Sequence, residues 1–235
     1  MNLFATDPKI LGLAFLGGII PSLLWLWFWL KEEEHPEPKI LLTLVFMMGM
    51  IAVMVVLPIQ KFIQMNVSSN EWQIILWGGA EEILKYIAVI AIVFGTKAID
   101  EPVDWPIYMI TSALGFAALE NTLFLVKPFS VNEATVALLT GQLRFLGSTL
   151  LHTVTSGILG ITLGISMFMF GFRKVWHVFI GFFVAIALHS AFNFFIIRND
   201  GNDFLKVFAF LWVVTIIVML LFEKVRRMGE EINHY

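Results

Sequence analysis

Residues 40–60 read ILLTLVFMMGMIAVMVVLPIQ, a stretch without a single charged side chain. At 1.5 Å rise per residue, a helix of this length crosses about 30 Å of hydrocarbon. Similar stretches recur along the chain, which is 59% hydrophobic and 14% charged, with a mean hydropathy of +0.85. Soluble domains usually carry about 25% charged residues, so the chain is predicted to be an integral membrane protein.

The apolar stretches predict an all-α, polytopic transmembrane bundle with seven spans. Their approximate bounds are 10–30, 40–60, 72–95, 106–127, 141–170, 175–197 and 204–222. The fifth stretch is too long for one perpendicular crossing, so it tilts, protrudes or breaks near Gly147 into a short re-entrant piece, which would give eight helices. Residues 1–235 are expected to form one integral membrane domain without a separate soluble one.

The charges of the loops predict how the chain is oriented in the membrane, and the amino-acid composition excludes some kinds of catalytic and binding site. By the positive-inside rule, a modest excess of Lys and Arg on one predicted face places the N-terminus outside and the C-terminus in the cytoplasm. The expected location is the plasma membrane, with the lipid bilayer as a partner. Cysteine is absent, which excludes a cysteine nucleophile and thiolate metal ligands. No basic tract points to nucleic acid.

Polar residues inside the predicted spans are the candidates for function. A single Lys, Arg or Asp at bilayer depth costs roughly 2.5–3.5 kcal/mol, so such side chains should face one another or water rather than lipid. The set comprises Glu81, Glu82, Lys85, Glu120, Arg144, His152 and His189, with Asn121 and Asn193 beside them.

Helical geometry predicts that these side chains converge. Counted from the span ends on one membrane face, Glu81 lies about 14 Å deep, Glu120 about 10 Å and His189 about 12 Å. Glu81 and Lys85 are four residues apart and share a helix face, so Lys85 is expected to neutralise Glu81. Arg144 is expected to pair with Glu120 or Glu82. These levels and pairings predict one buried polar site.

Two kinds of hydrolytic chemistry fit these residue types. A carboxylate beside imidazoles activates water as a general base, and a His or Asn donates to a developing oxyanion. Alternatively, carboxylates and imidazoles are ligands of divalent metals such as zinc, and the candidate ligands are Glu82, Glu120, His152 and His189. The residue types by themselves leave the glutamate and metal alternatives open.

Short motifs follow one another along the chain in an order that resembles a known family. They are Glu81-Glu82-Ile-Leu-Lys85, Phe116-Ala-Ala-Leu-Glu120-Asn121, Arg144 followed by His152, and His189-Ser-Ala-Phe-Asn193, preceded by the loop His35-Pro-Glu-Pro-Lys39. The ordered set resembles the PrsW family, within the larger superfamily of CAAX prenyl proteases and bacteriocin-processing or immunity-type membrane proteins. The resemblance implies an all-helical membrane endopeptidase that cleaves single-span membrane proteins such as anti-sigma factors.

The resemblance also implies a role for each candidate residue. The roles are a general-base pair for Glu81 and Glu82, oxyanion donors for His189 and Asn193, a second histidine for His152, and support for Lys85, Asn121 and Arg144. Glu120 stands where CAAX proteases carry a histidine but PrsW proteins carry glutamate. His152 therefore activates water only if the helices place it near the Glu81–Glu82 pair. Replacing Glu81 or Glu82 by Gln is expected to abolish cleavage and to leave folding intact.

Two other classes of function use the same residues. A proton-coupled transporter could employ the Glu, Lys and His side chains as a relay, although the predicted spans do not repeat as inverted halves. A non-catalytic scaffold or immunity protein of the same superfamily is the other alternative. No Ser/His/Asp arrangement stands out, which disfavours an acyl-enzyme route and favours direct attack by water.

Overall fold

The computed structural model describes residues 7–31, 35–131, 133–198 and 204–233, and every regular element within these ranges is a helix. The ends of the predicted domain, 1–6 and 234–235, lie outside the described residues. The helices are α1 (Pro8–Leu30), α2 (Lys39–Asn66), α3 (Asn70–Val93), α4 (Asp104–Ser130), α5 (Ala134–Leu146), α6 (Ser148–Ser166), α7 (Gly171–Arg198) and α8 (Phe204–Asn233). The all-α prediction is confirmed.

Six helical stretches among the described residues are long and apolar enough to cross a membrane. They are Pro8–Leu30, Lys39–Asn66, Asp104–Ser130, Leu138–Ser166, Gly171–Ile196 and Leu205–Gly229. The chain is therefore a multi-pass integral membrane protein. Helix α3 is not among the six, because Glu81, Glu82 and Lys85 interrupt its apolar sequence. That α3 also crosses, which would give the predicted seven spans, stays a prediction.

The fifth predicted span is divided at Gly147. Helix α5 ends at Leu146 and α6 begins at Ser148, while Gly147 adopts φ −111° and ψ −77°. The hydrogen bond from the Gly147 N–H to the Leu143 carbonyl, 2.9 Å long, closes α5. The helix is therefore interrupted at the predicted place, between Arg144 and Ser148, while a re-entrant piece and an eighth span stay predictions.

Helix α8 continues past the predicted end of the last span, residue 222, to Asn233. Its charged side chains pair along the helix: Glu223 lies 2.9 Å from Arg226 and 2.7 Å from Arg227. Pairs three and four residues apart support a helix without an apolar environment. The helix therefore extends beyond the apolar stretch that predicted it.

Helix α4 is the centre of the bundle and contacts α1, α2, α3, α5 and α6. Every residue from Pro106 to Ala118 is buried. A helix that is surrounded on all sides is expected to be apolar or small all round, and α4 is so over this stretch. The position of α4 next to α3 and α6 sets where Glu120 and Asn121, near its C-terminal half, meet the other polar side chains.

Glycines allow α2 and α4 to approach each other closely. A Cβ at Gly115 would collide with the backbone carbonyl of Phe46, and a Cβ at Gly49 would collide with that of Ser112. Small residues at helix interfaces let backbones approach closely, which strengthens van der Waals packing where lipid removes the hydrophobic driving force. The close α2–α4 contact therefore depends on two reciprocal glycines.

Replacing Gly115 by Ala is expected to destabilise the bundle by about 1–3 kcal/mol, because the backbone of Phe46 cannot move out of the way of a new methyl group as a side chain would. Thermal unfolding of the detergent-purified protein measures this as a lower Tm. Gly12→Ala is the matched control, since a Cβ at Gly12 meets nothing within 4 Å. Equal Tm values for the two variants would contradict the close approach.

Candidate active site

Local sequence fixes the start of α3 and hence the level of its two glutamates. The Ser69 hydroxyl accepts a hydrogen bond from the Trp72 N–H at 3.3 Å and caps the helix. The Gln73 amide donates to the Val67 carbonyl at 2.6 Å and ties the first turn to the end of α2. Glu81 and Glu82 follow in mid-helix, pointing about 100° apart.

Glu82 is fully buried and surrounded by hydrogen-bond donors. Its carboxylate accepts from Lys85 Nζ at 2.7 Å, His189 Nδ1 at 2.8 Å, Ser156 Oγ at 2.7 Å and Thr155 Oγ1 at 3.0 Å. These donors come from three different helices and occupy both oxygens. Glu82 therefore joins α3, α6 and α7, and it is not among the residues that line the cavity described below.

The predicted neutralisation of Glu81 by Lys85 is wrong. Lys85 Nζ lies 2.7 Å from Glu82 Oε1 and 2.9 Å from His152 Nδ1, and the lysine side chain is completely buried. The physical reason is the direction in which each side chain points from α3. The lysine reaches toward the interior of the bundle, where Glu82 points, whereas Glu81 points to another side of α3.

Glu81 is buried, yet one of its oxygens has no hydrogen-bond partner. Gln60 Nε2 donates to Oε1 at 2.8 Å, while Oε2 is buried without a partner. His189 Nε2 lies 3.4 Å from Oε2, and His152 Nδ1 lies 3.9 Å from it. An unsatisfied buried carboxylate oxygen is costly and points to a missing partner at this position.

The two histidines are oriented by carboxylates on their far sides. His189 Nδ1 binds Glu82 at 2.8 Å, and His152 Nε2 binds Glu120 Oε2 at 3.1 Å. Each carboxylate accepts the proton of the nitrogen that it contacts, which leaves the other nitrogen with its lone pair. The rings meet edge to face with centroids 5.1 Å apart. His189 Nε2 therefore faces Glu81 Oε2 at 3.4 Å, whereas His152 Nδ1 lies 2.9 Å from Lys85 Nζ and 3.9 Å from Glu81 Oε2.

The Glu120 carboxylate is held in turn by Arg144, which confirms one of the two predicted pairings. The two side chains form an ion pair, and Ser148 Oγ lies 3.3 Å from the same Glu120 oxygen. Arg144 Nε also donates to Asn121 Oδ1 at 2.5 Å, and the Asn121 amide donates to Thr149 Oγ1 at 2.8 Å. The break at Gly147 places Arg144 and Ser148 around Glu120 from two helices.

A cavity of about 570 Å³ opens onto this group. Its polar lining includes Gln60, Glu81, Glu120, Arg144, Ser148, His152, His189 and Asn193. Leucine, valine and phenylalanine side chains form much of the remaining wall. The predicted candidate residues thus meet in one place, some on the wall of the cavity and the others behind it.

Sequence reasoning missed several residues of this network. Gln60, Thr149, Thr155 and Ser156 all hydrogen-bond to predicted site residues. Uncharged amide and hydroxyl side chains are cheaper to bury than ions and often bond to their own helix, so their presence in a span gives a weak signal. Gln60 stands at the end of an otherwise apolar stretch, where a neutral amide is common, so its position did not set it apart.

The site contains a group of side chains that fits a metal ion. One ligand atom from each of Glu81, His152 and His189 lies within 4.8 Å of the others. Two histidines and one glutamate are a ligand set of catalytic zinc sites, and carboxylates on the far histidine nitrogens are the usual supporting contacts. The unpartnered Glu81 oxygen supports this fit. A bound ion requires Lys85 Nζ to move away from His152 Nδ1.

This group differs in composition from the four ligands suggested by residue type. His152 and His189 belong to both sets, whereas Glu82 and Glu120 bind the far sides of the two imidazoles. Glu81 Oε2 lies 3.4 Å from His189 Nε2 and 3.9 Å from His152 Nδ1, the two nitrogens that do not contact these carboxylates. The geometry therefore favours Glu81 as the carboxylate ligand, whereas Glu82 and Glu120 hold the two histidine ligands in place.

A multi-pass helical bundle with a buried Glu-His-His group beside a cavity has the architecture of a membrane-embedded hydrolase. Residues 37–222 match the PrsW family intramembrane metalloprotease. This match covers most of the chain, and the chain therefore belongs to the PrsW family of membrane proteases. Comparisons with curated proteins and with solved structures give no match.

Proposed function

We propose that the chain hydrolyses a peptide bond of single-span membrane proteins in this cavity, with Glu81, His152 and His189 holding a divalent metal such as zinc. The observation that carries the proposal is the convergence of one ligand atom each from Glu81, His152 and His189 at the cavity wall, where Glu81 Oε2 is buried without a hydrogen-bond partner. The family match supports the same reaction class. Hydrolysis by the glutamate alone is the competing mechanism.

Each polar residue has a distinct task in the proposed reaction. A bound divalent metal supplies Lewis acidity for the peptide carbonyl and for the attacking water. Glu82 and Glu120 hold the two imidazoles through His189 Nδ1 and His152 Nε2, so that His189 Nε2 and His152 Nδ1 would be the metal ligands once Lys85 Nζ moves away from His152. Asn193, on the cavity wall one turn after His189, donates to the developing oxyanion. In the competing mechanism, Glu81 Oε2 itself accepts the proton of the water.

The walls of the cavity suit an apolar substrate segment. The side chains that line it include Leu57, Phe116, Phe124 and Phe192, and Phe124 is 54% exposed. A membrane-spanning segment supplies apolar side chains of this kind, and cleavage requires its helix to unwind locally. Membrane-bound anti-sigma factors are the substrates that the resemblance to PrsW proteins implies. In the proposed orientation, with the N-terminus outside, cleavage occurs toward the extracytoplasmic side of the plasma membrane.

Cleavage of a panel of tagged single-span membrane proteins by the purified full chain tests the proposal. We expect at least one to be cut, with the activity lost after treatment with a chelator and restored by Zn²⁺. Cleavage that persists after exhaustive chelation would favour the glutamate mechanism. If no member of the panel is cut, a non-catalytic scaffold or a proton-coupled transporter is favoured instead. A transporter predicts a proton flux across vesicles that contain the protein.

A further inference from the structure

Gln60, on α2, makes two hydrogen bonds to α3 beside the candidate metal ligands. Its side-chain amide donates to Glu81 Oε1 at 2.8 Å, and its backbone carbonyl accepts from Trp77 Nε1 at 3.1 Å. Trp77 and Glu81 are four residues apart and lie on the same face of α3. Helix α3 therefore holds Gln60 at its backbone and at the end of its side chain.

This double contact determines which Glu81 oxygen is free. The amide of Gln60 occupies Oε1, and Oε2 remains without a partner on the side of His152 and His189. An amide donates a hydrogen bond without carrying a charge, so it adds no counter-charge to the carboxylate. A lysine or arginine at position 60 would instead neutralise it and compete with a cation.

We propose that Gln60 is a positioning residue, which fixes the Glu81 carboxylate so that Oε2 faces the two histidines as a ligand. This inference rests on the proposed metal site. Partners that orient a ligating side chain typically contribute 10- to 100-fold to metal affinity. Gln60 acts only through Glu81, and its role is distinct from that of the carboxylates behind the histidines.

The test measures Zn²⁺ affinity of the detergent-purified full chain by competition with a chelator of known affinity. Gln60→Met preserves the length of the side chain and removes the donor, and we expect it to weaken Zn²⁺ binding about 10- to 100-fold. Gln73→Met is the matched control. It removes an amide donor to the Val67 carbonyl on the same helix pair without touching Glu81, and we expect wild-type affinity.

The outcomes separate this inference from the proposed function. If the wild type binds Zn²⁺ and Gln60→Met binds it equally tightly, the positioning role is overturned and the metal site stands. A lower Tm for Gln60→Met with an unchanged Zn²⁺ affinity shows a purely structural role and also overturns the inference. If the wild type binds no Zn²⁺, both the metal site and the inference fail.

A second variant covers the case in which Gln60→Met does not fold. Gln60→Asn keeps a polar amide on α2 but is one methylene shorter, so its amide loses the 2.8 Å contact with Glu81. Weakened Zn²⁺ binding by this variant supports the inference, and wild-type affinity overturns it.

Discussion

Replacing Glu81 by Gln is expected to abolish peptide hydrolysis, with a loss of at least about 10²- to 10⁴-fold, while the bundle stays folded. The amide keeps an oxygen that accepts the hydrogen bond from Gln60, and its nitrogen takes the place of Oε2, which has no partner to lose. The neutral amide neither binds a cation well nor accepts a proton from water. Both candidate mechanisms therefore fail in this variant.

The measurement compares cleavage rates and Tm values of wild type and Glu81→Gln on any substrate found in the panel. Glu223→Gln is the control, because Glu223 is a partly exposed carboxylate on α8 that pairs with Arg226 and Arg227 outside the cavity. It should cleave at the wild-type rate. Turnover by Glu81→Gln within tenfold of wild type would refute the role of this carboxylate in either mechanism.

Replacing Glu82 by Gln is expected to have its largest effect on folding, which revises the expectation from the sequence that this variant, like Glu81→Gln, stays folded. The substitution leaves the completely buried ammonium of Lys85 without its counter-charge at 2.7 Å. Removing one partner of a buried ion pair typically destabilises a protein by about 3–5 kcal/mol. Thermal unfolding in detergent should show a markedly lower Tm or a loss of folded protein. A wild-type Tm would show that Lys85 finds another partner.

The double variant Glu82→Gln with Lys85→Met separates two roles of Glu82, which are to balance the charge of Lys85 and to orient His189. Removing the lysine charge together with the carboxylate should recover part of the lost stability, and the non-additive part measures the ion pair. Cleavage should stay impaired, because His189 Nδ1 then faces an amide in place of the carboxylate that directs it. Full recovery of cleavage in the double variant would contradict the orienting role of Glu82.

Much of the site could be predicted because bilayer burial of ions is so costly. Few polar side chains occur within the apolar stretches, and helical spacing placed Glu81, Glu120 and His189 at similar depths. The sequence left open whether the fifth stretch is interrupted near Gly147, and only the backbone conformation showed that it is. Gln60 could not be singled out, since a neutral amide at the end of a span is common and its partner lies on another helix.

The sequence by itself determined the membrane location, the all-helical bundle and the membership of nine polar residues in one site, because composition and helical period act locally along the chain. It treated Glu81 and Glu82 alike, since neighbours in sequence differ only by about 100° around the helix. Only the tertiary structure decided that Glu81 faces the cavity and that Glu82 binds Lys85 and His189. Which side of α3 meets water and which meets α6 and α7 depends on how the helices pack, and no spacing within α3 contains that information.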